Sequence, residues 1–421
     1  MNIATNIIFA LMIGLFYDGT SSSDDHHEEK PTTFIDGQLL FSVKEKHLKA
    51  RLSYAYLATD SARTSLSFFL TPDVKIDAVE GRNVKGHTFD ARAKPFATLK
   101  IDFIDAVAKD ERMNFSLAYS GKPSKGFWSE EYKWIDVDPD FMILPLFTTL
   151  ENFTYQINAS VDDKTFTFYD LDKGRVTEDL FFSSLTPSYY FNPILASNNK
   201  ANGMGANKVM ANTYNINVFS NKPDSASYVG NAAGRILDFF NTTFGAEDKV
   251  SSFSVLYRPL PYSIHKITRS FGHSIVFSKG HHDIATLAHE VAHFWWHRGD
   301  ALTTEKWLSE SFAEYSEYMF VRHDQGEDKF NEIMKNLAER SEKLPALLGN
   351  DRFSPQGDGL IYVKGPYLLN QLENKIGRDK FQEFLVELNR KKVETTTDLL
   401  MVLESISSAQ VRKEFEEGLN K

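Results

Sequence analysis

The chain has 421 residues, and its 42% hydrophobic and 13% aromatic content supplies ample material for packed interiors, which excludes an intrinsically disordered protein. A formal net charge of -10 without any long basic run argues against nucleic-acid binding, and the lack of cysteine excludes thiol catalysis, cysteine-ligated zinc and disulfides. This length predicts roughly two or three domains, because single cores rarely grow much beyond about 250 residues.

The N-terminal segment carries a short apolar run at residues 7–17, which is followed by a polar stretch at residues 18–30. A run of this length is typical of a secretory signal and is too short for a comfortable membrane span. We therefore expect residues 1–20 to be a signal peptide or anchor and residues 21–33 a polar linker, in a protein exported to the periplasm or secreted. An uncleaved membrane anchor at residues 3–17 and a buried helix or strand are the alternatives.

Residues 34–185 have a strand-like pattern throughout. Short runs rich in Phe, Val, Ile and Tyr recur between turn signals, as in SLSFFL, ATLKIDFI and FTYQINAS. This pattern predicts an all-β domain. Residues 186–207 lack periodicity and are rich in Asn, Gly and Ser, which predicts an inter-domain segment.

Residues 208–421 begin with strand candidates and become mainly helical after Asp283, which predicts an α+β domain. Asp283 is a suitable N-cap and Gly299 a suitable stop for the first helix of this helical part. The predicted helices cover residues 228–244, 284–298, 305–325, 329–343, 366–376, 378–391, 397–407 and 410–419.

The segment HEVAH, at residues 289–293, is an HExxH motif inside the helix that follows Asp283. Residues four apart lie on the same face of a helix, so the imidazoles of His289 and His293 can bind one metal ion. Glu290 lies beside the first ligand, where its carboxylate can act as the base on a water molecule that the metal activates.

Two satisfied core histidines are the alternative interpretation of His289 and His293. The flanking apolar residues already give this helix a buried face, so a polar stripe on its other side requires partners, and one metal ion satisfies both rings. His297 continues the stripe, but it lies two turns beyond His289, and we expect it behind the ligands or at the surface.

A tetrahedral catalytic zinc site needs a third protein ligand and one open position. Glu310, in the segment WLSESFA of the next predicted helix, is the candidate for this ligand. Glu314 and Glu317 share its helix face, so spacing alone leaves the choice open, and a solvated acidic face is the alternative for both. The sequence predicts one zinc ion per chain.

HEVAH followed by WLSESFAEYSEY resembles the aminopeptidase N family of gluzincin metallopeptidases, which pairs HExxH with a downstream WLNEGFA segment. The resemblance implies that Glu310 is the third zinc ligand and that Glu317 is a carboxylate that orients a ligand. YVKG matches the family's YxKG, whose tyrosine, here Tyr362, donates a hydrogen bond to the tetrahedral intermediate. Sixteen residues separate His293 from Glu310, a slightly shorter connection than the family usually has.

The resemblance extends from about residue 34 to the C-terminus and is strongest over residues 280–320. It implies a multidomain protein with an N-terminal saddle-like β domain, followed by a thermolysin-like catalytic domain over residues 208–421. The chain ends soon after YVKG, so we expect it to lack the family's large C-terminal helical domain and to have a more open cleft.

The chain departs from the family just before HEVAH. Family aminopeptidases have a GAMEN strand there, whose glutamate binds the free α-amine of the substrate. Residues 266–272 read KITRSFG and place Arg269 at the glutamate's position. An arginine there fits recognition of a substrate carboxylate, and an edge-strand arginine facing solvent is the alternative.

The sequence therefore predicts a zinc-dependent metallopeptidase, in the form of an atypical aminopeptidase acting on peptide or protein substrates. We expect no nucleic-acid partner, and membrane contact only through an uncleaved N-terminal anchor. An endopeptidase or a carboxylate-recognising peptidase is the first alternative. A catalytically inactive relative that binds peptides is the second.

Overall fold

The computed structural model describes residues 32–421, apart from residues 94–95, 125–127, 130–132, 138–140, 150, 172, 189–190, 203–204, 212, 246–248, 259–268, 272–273 and 301–302, and apart from the side chains of residues 129, 185–187, 202, 269 and 271. The predicted signal or anchor and nearly all of the predicted linker lie outside the described residues. Among the residues that are described, no helix is long and apolar enough to cross a membrane.

The N-terminal half of the described chain consists of β-strands. These are β1 Thr33–Ser42, β2 His47–Leu57, β3 Arg63–Leu70, β4 Val74–Glu80, β5 Val84–Asp90, β6 Ala97–Val107, β7 Arg112–Gly121, β8 Trp128–Ser129, β9 Trp134–Val137, β10 Leu146–Phe147, β11 Phe153–Val161, β12 Phe166–Asp170, β13 Arg175–Thr177, β14 Leu180–Ser188 and β15 Ile194–Asn198. They form three sheets, with the strand orders β14-β11-β1-β2-β7-β4, β10-β3-β6-β5 and β13-β12-β15-β9-β8.

The central strands of the first sheet bury every second residue. In β2 the residues alternate between buried and exposed positions along nearly the whole strand, as expected for an antiparallel sheet with one face on a core. The core beneath it is rich in aromatic side chains, and the ring of Tyr54 stacks on Phe115 with centroids 4.6 Å apart. Burial of these large rings contributes to the stability of this half.

The C-terminal half begins with a further sheet and continues as helices. Its strands are β16 Gly205–Ala211, β17 Tyr214–Ser220, β18 Ser252–Tyr257, β19 Arg269–Phe271 and β20 Ser274–Phe277, in the order β16-β17-β18-β20-β19. Its helices are α1 Asn199–Asn202, α2 Pro223–Thr243, α3 Ile284–Ala292, α4 Trp307–Gln325, α5 Glu327–Ser341, α6 Gly357–Gly359, α7 Gly365–Ile376, α8 Arg378–Arg390, α9 Thr396–Ile406 and α10 Ala409–Leu419, with a 3-10 turn at Thr304–Lys306 and a π turn at Leu360–Lys364. The predicted fold class, an all-β domain followed by a mainly helical α+β region, is confirmed.

Strand pairing in the N-terminal half continues beyond residue 185, where the sequence placed the end of the β domain. Strand β14 runs to Ser188, and β15 pairs with both β9 and β12 in the third sheet. Strand β15 has the sequence ILASN, a short apolar run without alternation, and such a run gives no clear strand signal by periodicity.

The third and fourth sheets meet in a small separate core. Side chains from β9 and β12 pack there against side chains from β17, β18 and β20, including Trp134 and Phe219. A buried ion pair also crosses this contact, because an Nη2 nitrogen of Arg258 lies 2.5 Å from the Asp136 carboxylate. The β half is thereby attached to the sheet that precedes the HEVAH helix.

Candidate metal centre

Helix α3 carries the HEVAH segment. The Asp283 carboxylate accepts a hydrogen bond from the Thr286 backbone N–H at 3.3 Å, so the predicted N-cap is present. The helix ends at Ala292, one turn or more before the predicted stop at Gly299. Its apolar side chains belong to the core of the C-terminal half, and the rings of His289 and His293 lie on one side with centroids 4.9 Å apart.

Helix α4 brings Glu310 to the two histidines. Trp307, at the start of this helix, is fully buried, and its Nε1 donates a hydrogen bond to Thr396 Oγ1 at 2.8 Å, which anchors the first turn. Glu310 lies in that first turn, and its Oε2 is 3.6 Å from His289 Nε2 and 3.4 Å from His293 Nε2. One ligand atom from each of the three residues lies within 4.8 Å of the others.

This donor set fits a zinc ion. Zinc bonds of about 2.0–2.2 Å in tetrahedral geometry place neighbouring ligand atoms roughly 3.3–3.6 Å apart, which matches the two nitrogen–oxygen distances. Two imidazoles and one carboxylate are also a ligand set of catalytic zinc sites that keep a fourth position open. The residues that would hold the ion are His289, His293 and Glu310.

The ring of His293 is oriented by the turn that follows α3. Its Nδ1 lies 2.8 Å from the backbone oxygen of Trp296, which also accepts a hydrogen bond from Ser309 Oγ at 3.0 Å. Because a carbonyl oxygen can only accept, Nδ1 carries the proton and Nε2 has its lone pair available for a metal. Because α3 ends at Ala292, the following turn directs the Trp296 carbonyl back toward the His293 ring.

The outer nitrogen of His289 faces a carboxylate of α4. Its Nδ1 lies 2.9 Å from Glu314 Oε2 and 3.8 Å from Glu317 Oε2, and Glu314 also accepts a hydrogen bond from the Tyr318 hydroxyl. The family resemblance implied the orienting role for Glu317, whereas Glu314 makes the closer contact. Glu314 lies one helical turn after Glu310, and this spacing is the signal in the sequence that could have identified it, because residues four apart share a helix face.

The charged groups around the candidate ligands shift the pKa values of His289 and Glu310. Burial alone would lower the pKa of His289, but the carboxylates of Glu310 and Glu314 outweigh burial and hold that pKa well above its usual value. Burial would raise the pKa of Glu310, but Lys306 and His293 outweigh burial and hold that pKa well below its usual range. Lys306 Nζ lies 2.6 Å from Glu310 Oε1, which leaves the other carboxylate oxygen directed at the histidines.

Glu290 and Tyr362 lie beside the three candidate ligands. Glu290 is buried on α3, and its charge affects the pKa values of both His289 and Tyr362. Tyr362 lies in the π turn with 36% of its surface exposed, and its ring centroid is 6.3 Å from that of His289. Partial burial of the phenol, followed by the charge of Glu310, raises the pKa of Tyr362, so the hydroxyl keeps its proton.

The remaining predicted residues lie apart from this group or are only partly described. His297 is exposed after the end of α3. Arg269 begins the edge strand β19, which pairs antiparallel with β20 and aligns Arg269 with Val276. Its recognition of a substrate carboxylate stays a prediction.

Comparison with known proteins finds a family model that matches the part of the chain containing this site. Residues 277–417 match the peptidase family M1 domain. A segment of 147 residues is 29% identical to glutamyl aminopeptidase of Bos taurus, and one of 148 residues is 30% identical to aminopeptidase N of Streptomyces lividans. These segments cover 31% and 30% of this chain, and only 15% and 17% of the two relatives.

Solved structures resemble the chain over nearly its whole length. An M1 zinc metallopeptidase from Deinococcus radiodurans is similar with a TM-score of 0.67 and 15% identity, covering 93% of each chain. A structure of a mutant of that enzyme bound to a Tyr-Ser-Ala substrate is similar, with a TM-score of 0.67, 16% identity and coverage of 92% of this chain and 94% of that one. At this identity the likeness shows the fold, a β domain followed by a mainly helical region.

The fold is that of the two-domain M1 zinc metallopeptidase structures, and residues 277–417 match the M1 domain. These matches support the resemblance to the aminopeptidase N-like gluzincins that the sequence predicted.

Proposed function

We propose that the chain is a zinc-dependent peptidase that hydrolyses peptide bonds. The observation that carries this proposal is the convergence of His289 Nε2, His293 Nε2 and one carboxylate oxygen of Glu310, with Glu290 buried beside them. Structural sites fill all four positions of zinc with protein ligands, whereas three ligands with an adjacent carboxylate suit catalysis.

The chemistry divides among the metal and two side chains. Zinc, when bound, would activate a water molecule and polarise the scissile carbonyl group. The Glu290 carboxylate accepts a proton from the attacking water and later delivers it to the nitrogen of the leaving amine. The Tyr362 hydroxyl, which keeps its proton, donates a hydrogen bond to the carbonyl oxygen as negative charge develops there.

An aminopeptidase is the first form of this proposal. It is supported by the relatives, which are a glutamyl aminopeptidase and an aminopeptidase N, although the match covers a small part of their length. The second form is a peptidase that does not bind the free N-terminus of its substrate. Arg269, at the start of the edge strand β19, favours this form. A guanidinium at that position would repel an α-amine and attract a carboxylate.

Digestion of a peptide library with and without a chelator, analysed by mass spectrometry, tests the proposal. Chelator-sensitive loss of single N-terminal residues supports an aminopeptidase, and chelator-sensitive internal cleavage supports an endopeptidase. A protein that holds no metal and cleaves no peptide would instead support the peptide-binding alternative. Metal analysis on the same sample separates these outcomes, with one zinc ion per chain expected for the enzyme.

The role of Arg269 has its own test. Arg269→Ala should reduce hydrolysis of peptides with a free C-terminus more than hydrolysis of the matching amidated peptides. Equal losses for both sets would remove the carboxylate-recognition form of the proposal.

Export is a separate proposal that rests on the apolar run at residues 7–17 and the polar stretch after it. Expression of the full chain, followed by cell fractionation and N-terminal sequencing, distinguishes cleavage, anchoring and retention. Recovery of the intact chain from the cytoplasm alone would contradict export.

A further inference from the structure

The backbone that carries Tyr362 departs from the α-helical pattern. Helix α6 runs into the π turn, and the Gly365 N–H bonds to the Leu360 oxygen, five residues back instead of four. The same pattern applied to the next carbonyl, that of Ile361, requires an N–H at residue 366. That residue is Pro366, which has no N–H to donate. The buried Ile361 carbonyl therefore needs a donor from elsewhere.

Ser311 supplies that donor. Its hydroxyl donates a hydrogen bond to the Ile361 oxygen at 2.6 Å, and the serine is fully buried. Ser311 directly follows Glu310 on α4, and Ile361 directly precedes Tyr362 in the π turn. This hydrogen bond therefore joins the residue next to Glu310, a candidate zinc ligand, to the residue next to Tyr362, whose hydroxyl is the proposed donor to the substrate.

The fit around this hydrogen bond is close. A Cβ atom built on Gly365 would lie 2.0 Å from Ser311 Oγ, so a side chain at residue 365 would displace the hydroxyl. The WLNEGFA segment of the resembled family has glycine where this chain has Ser311, and a glycine has no hydroxyl to make this contact.

We propose that Ser311 is a positioning residue, which holds Tyr362 at the metal centre through the Ile361 carbonyl. This inference rests on the proposed function, because the role of Tyr362 belongs to it. A hydroxyl that faces the carbonyl oxygen of a substrate must be placed to within a fraction of an ångström to stabilise its charge. The π turn alone leaves the carbonyl before Tyr362 without a helical partner, and Ser311 fixes it to α4.

The first test measures the link itself without any substrate. Ser311→Ala should speed amide hydrogen exchange over residues 357–368, since the Ile361 carbonyl then has no donor. Pro366→Ala in the Ser311→Ala background restores an N–H five residues after Ile361 and should return exchange to the wild-type rate. Ser316→Ala is the matched control, because Ser316 is also a buried serine of α4, but its hydroxyl donates to the Phe312 oxygen and accepts from Trp296 Nε1, which both lie outside residues 357–368. It should leave exchange over residues 357–368 unchanged.

The second test measures the consequence for catalysis in a double-mutant cycle. Ser311→Ala should lower kcat about tenfold with KM and zinc content nearly unchanged, because it misplaces a group without removing binding contacts. In a Tyr362→Phe background, Ser311→Ala should not lower kcat any further. Adding Pro366→Ala to the Ser311→Ala enzyme should restore most of the lost kcat.

The outcomes separate this inference from the proposed function. Unchanged exchange in Ser311→Ala, or faster exchange that Pro366→Ala does not reverse, would overturn the link between Ser311 and Ile361. Equal kcat losses from Ser311→Ala with and without Tyr362 would overturn positioning. Normal turnover in Tyr362→Phe would instead refute the role of Tyr362 in the proposed function, while the exchange result would still decide the link.

Discussion

The Glu314 carboxylate lies 2.9 Å from Nδ1 of His289, closer than the 3.8 Å that separates Glu317 from the same nitrogen. A carboxylate at this place fixes the ring and increases its basicity toward a metal, and removing such a partner typically lowers metal affinity by about 10–100-fold. We therefore expect Glu314→Gln to weaken zinc binding by about that factor, as measured by competition with a chromophoric chelator.

Glu317→Gln is the matched control for this prediction. Burial, and next the charge of Glu314, raises the pKa of Glu317, so neutralising its side chain should change zinc affinity less. A larger loss of affinity in Glu317→Gln than in Glu314→Gln would return the orienting role to Glu317, as the family resemblance implied.

The choice between these two glutamates shows where the sequence stops being informative. Helical spacing places Glu310, Glu314 and Glu317 on one face, but the contact with His289 depends on how α4 packs against α3. The same holds for the π turn, because Pro366 alone is compatible with the start of an ordinary helix, as the sequence interpretation assumed. Both features depend on contacts between helices that are distant in sequence.

Local signals predicted the helical part of the fold well. The predicted helices at residues 378–391, 397–407 and 410–419 agree with α8, α9 and α10 to within one residue at each end. Strand order could not be predicted in this way, since the parallel pairing of β1 with β11 joins Thr33 to Phe153 across most of the β half. Such pairings depend on the packing of whole sheets and leave no signal within a strand.

The proposed base gives a second prediction. Glu290→Gln preserves the shape of the side chain but removes its ability to accept a proton from water. We expect the variant to retain zinc and to lose about 10²–10⁴-fold in kcat, the usual contribution of a positioned acid–base group. Zinc content by atomic absorption and steady-state hydrolysis of a fluorogenic peptide provide the measurements. Near-normal turnover in a zinc-loaded sample would refute the assignment.

The third prediction concerns the buried ion pair between Arg258 and Asp136. Arg258 is 3% exposed, its guanidinium lies over the Trp134 ring at 5.0 Å, and two of its nitrogens have no hydrogen-bond partner among the described residues. Asp136→Ala would leave this cation buried without a counter-ion, which typically costs about 3–5 kcal/mol. We expect a loss of that size in the free energy of unfolding, measured with urea.

Two comparisons make this prediction specific. Replacing both partners, as Asp136→Leu with Arg258→Met, should recover most of the loss, because no unpaired charge remains. Glu404→Ala breaks a more exposed pair with Arg412 and should change stability little. If the double replacement were as unstable as Asp136→Ala, the cost would come from packing at this contact and not from the charge.

The last prediction follows from the buried tyrosines. Burial raises the pKa values of Tyr54, Tyr119 and Tyr315 well above the usual value of about 10. The unfolded chain ionises these phenols near pH 10 while the folded chain does not, so their contribution to stability is complete below about pH 10 and decreases as the pH rises further. We expect some of the 17 tyrosines to titrate only together with unfolding. Ultraviolet titration of phenolate, recorded alongside far-ultraviolet circular dichroism, measures this, and complete titration near pH 10 with an intact fold would contradict it.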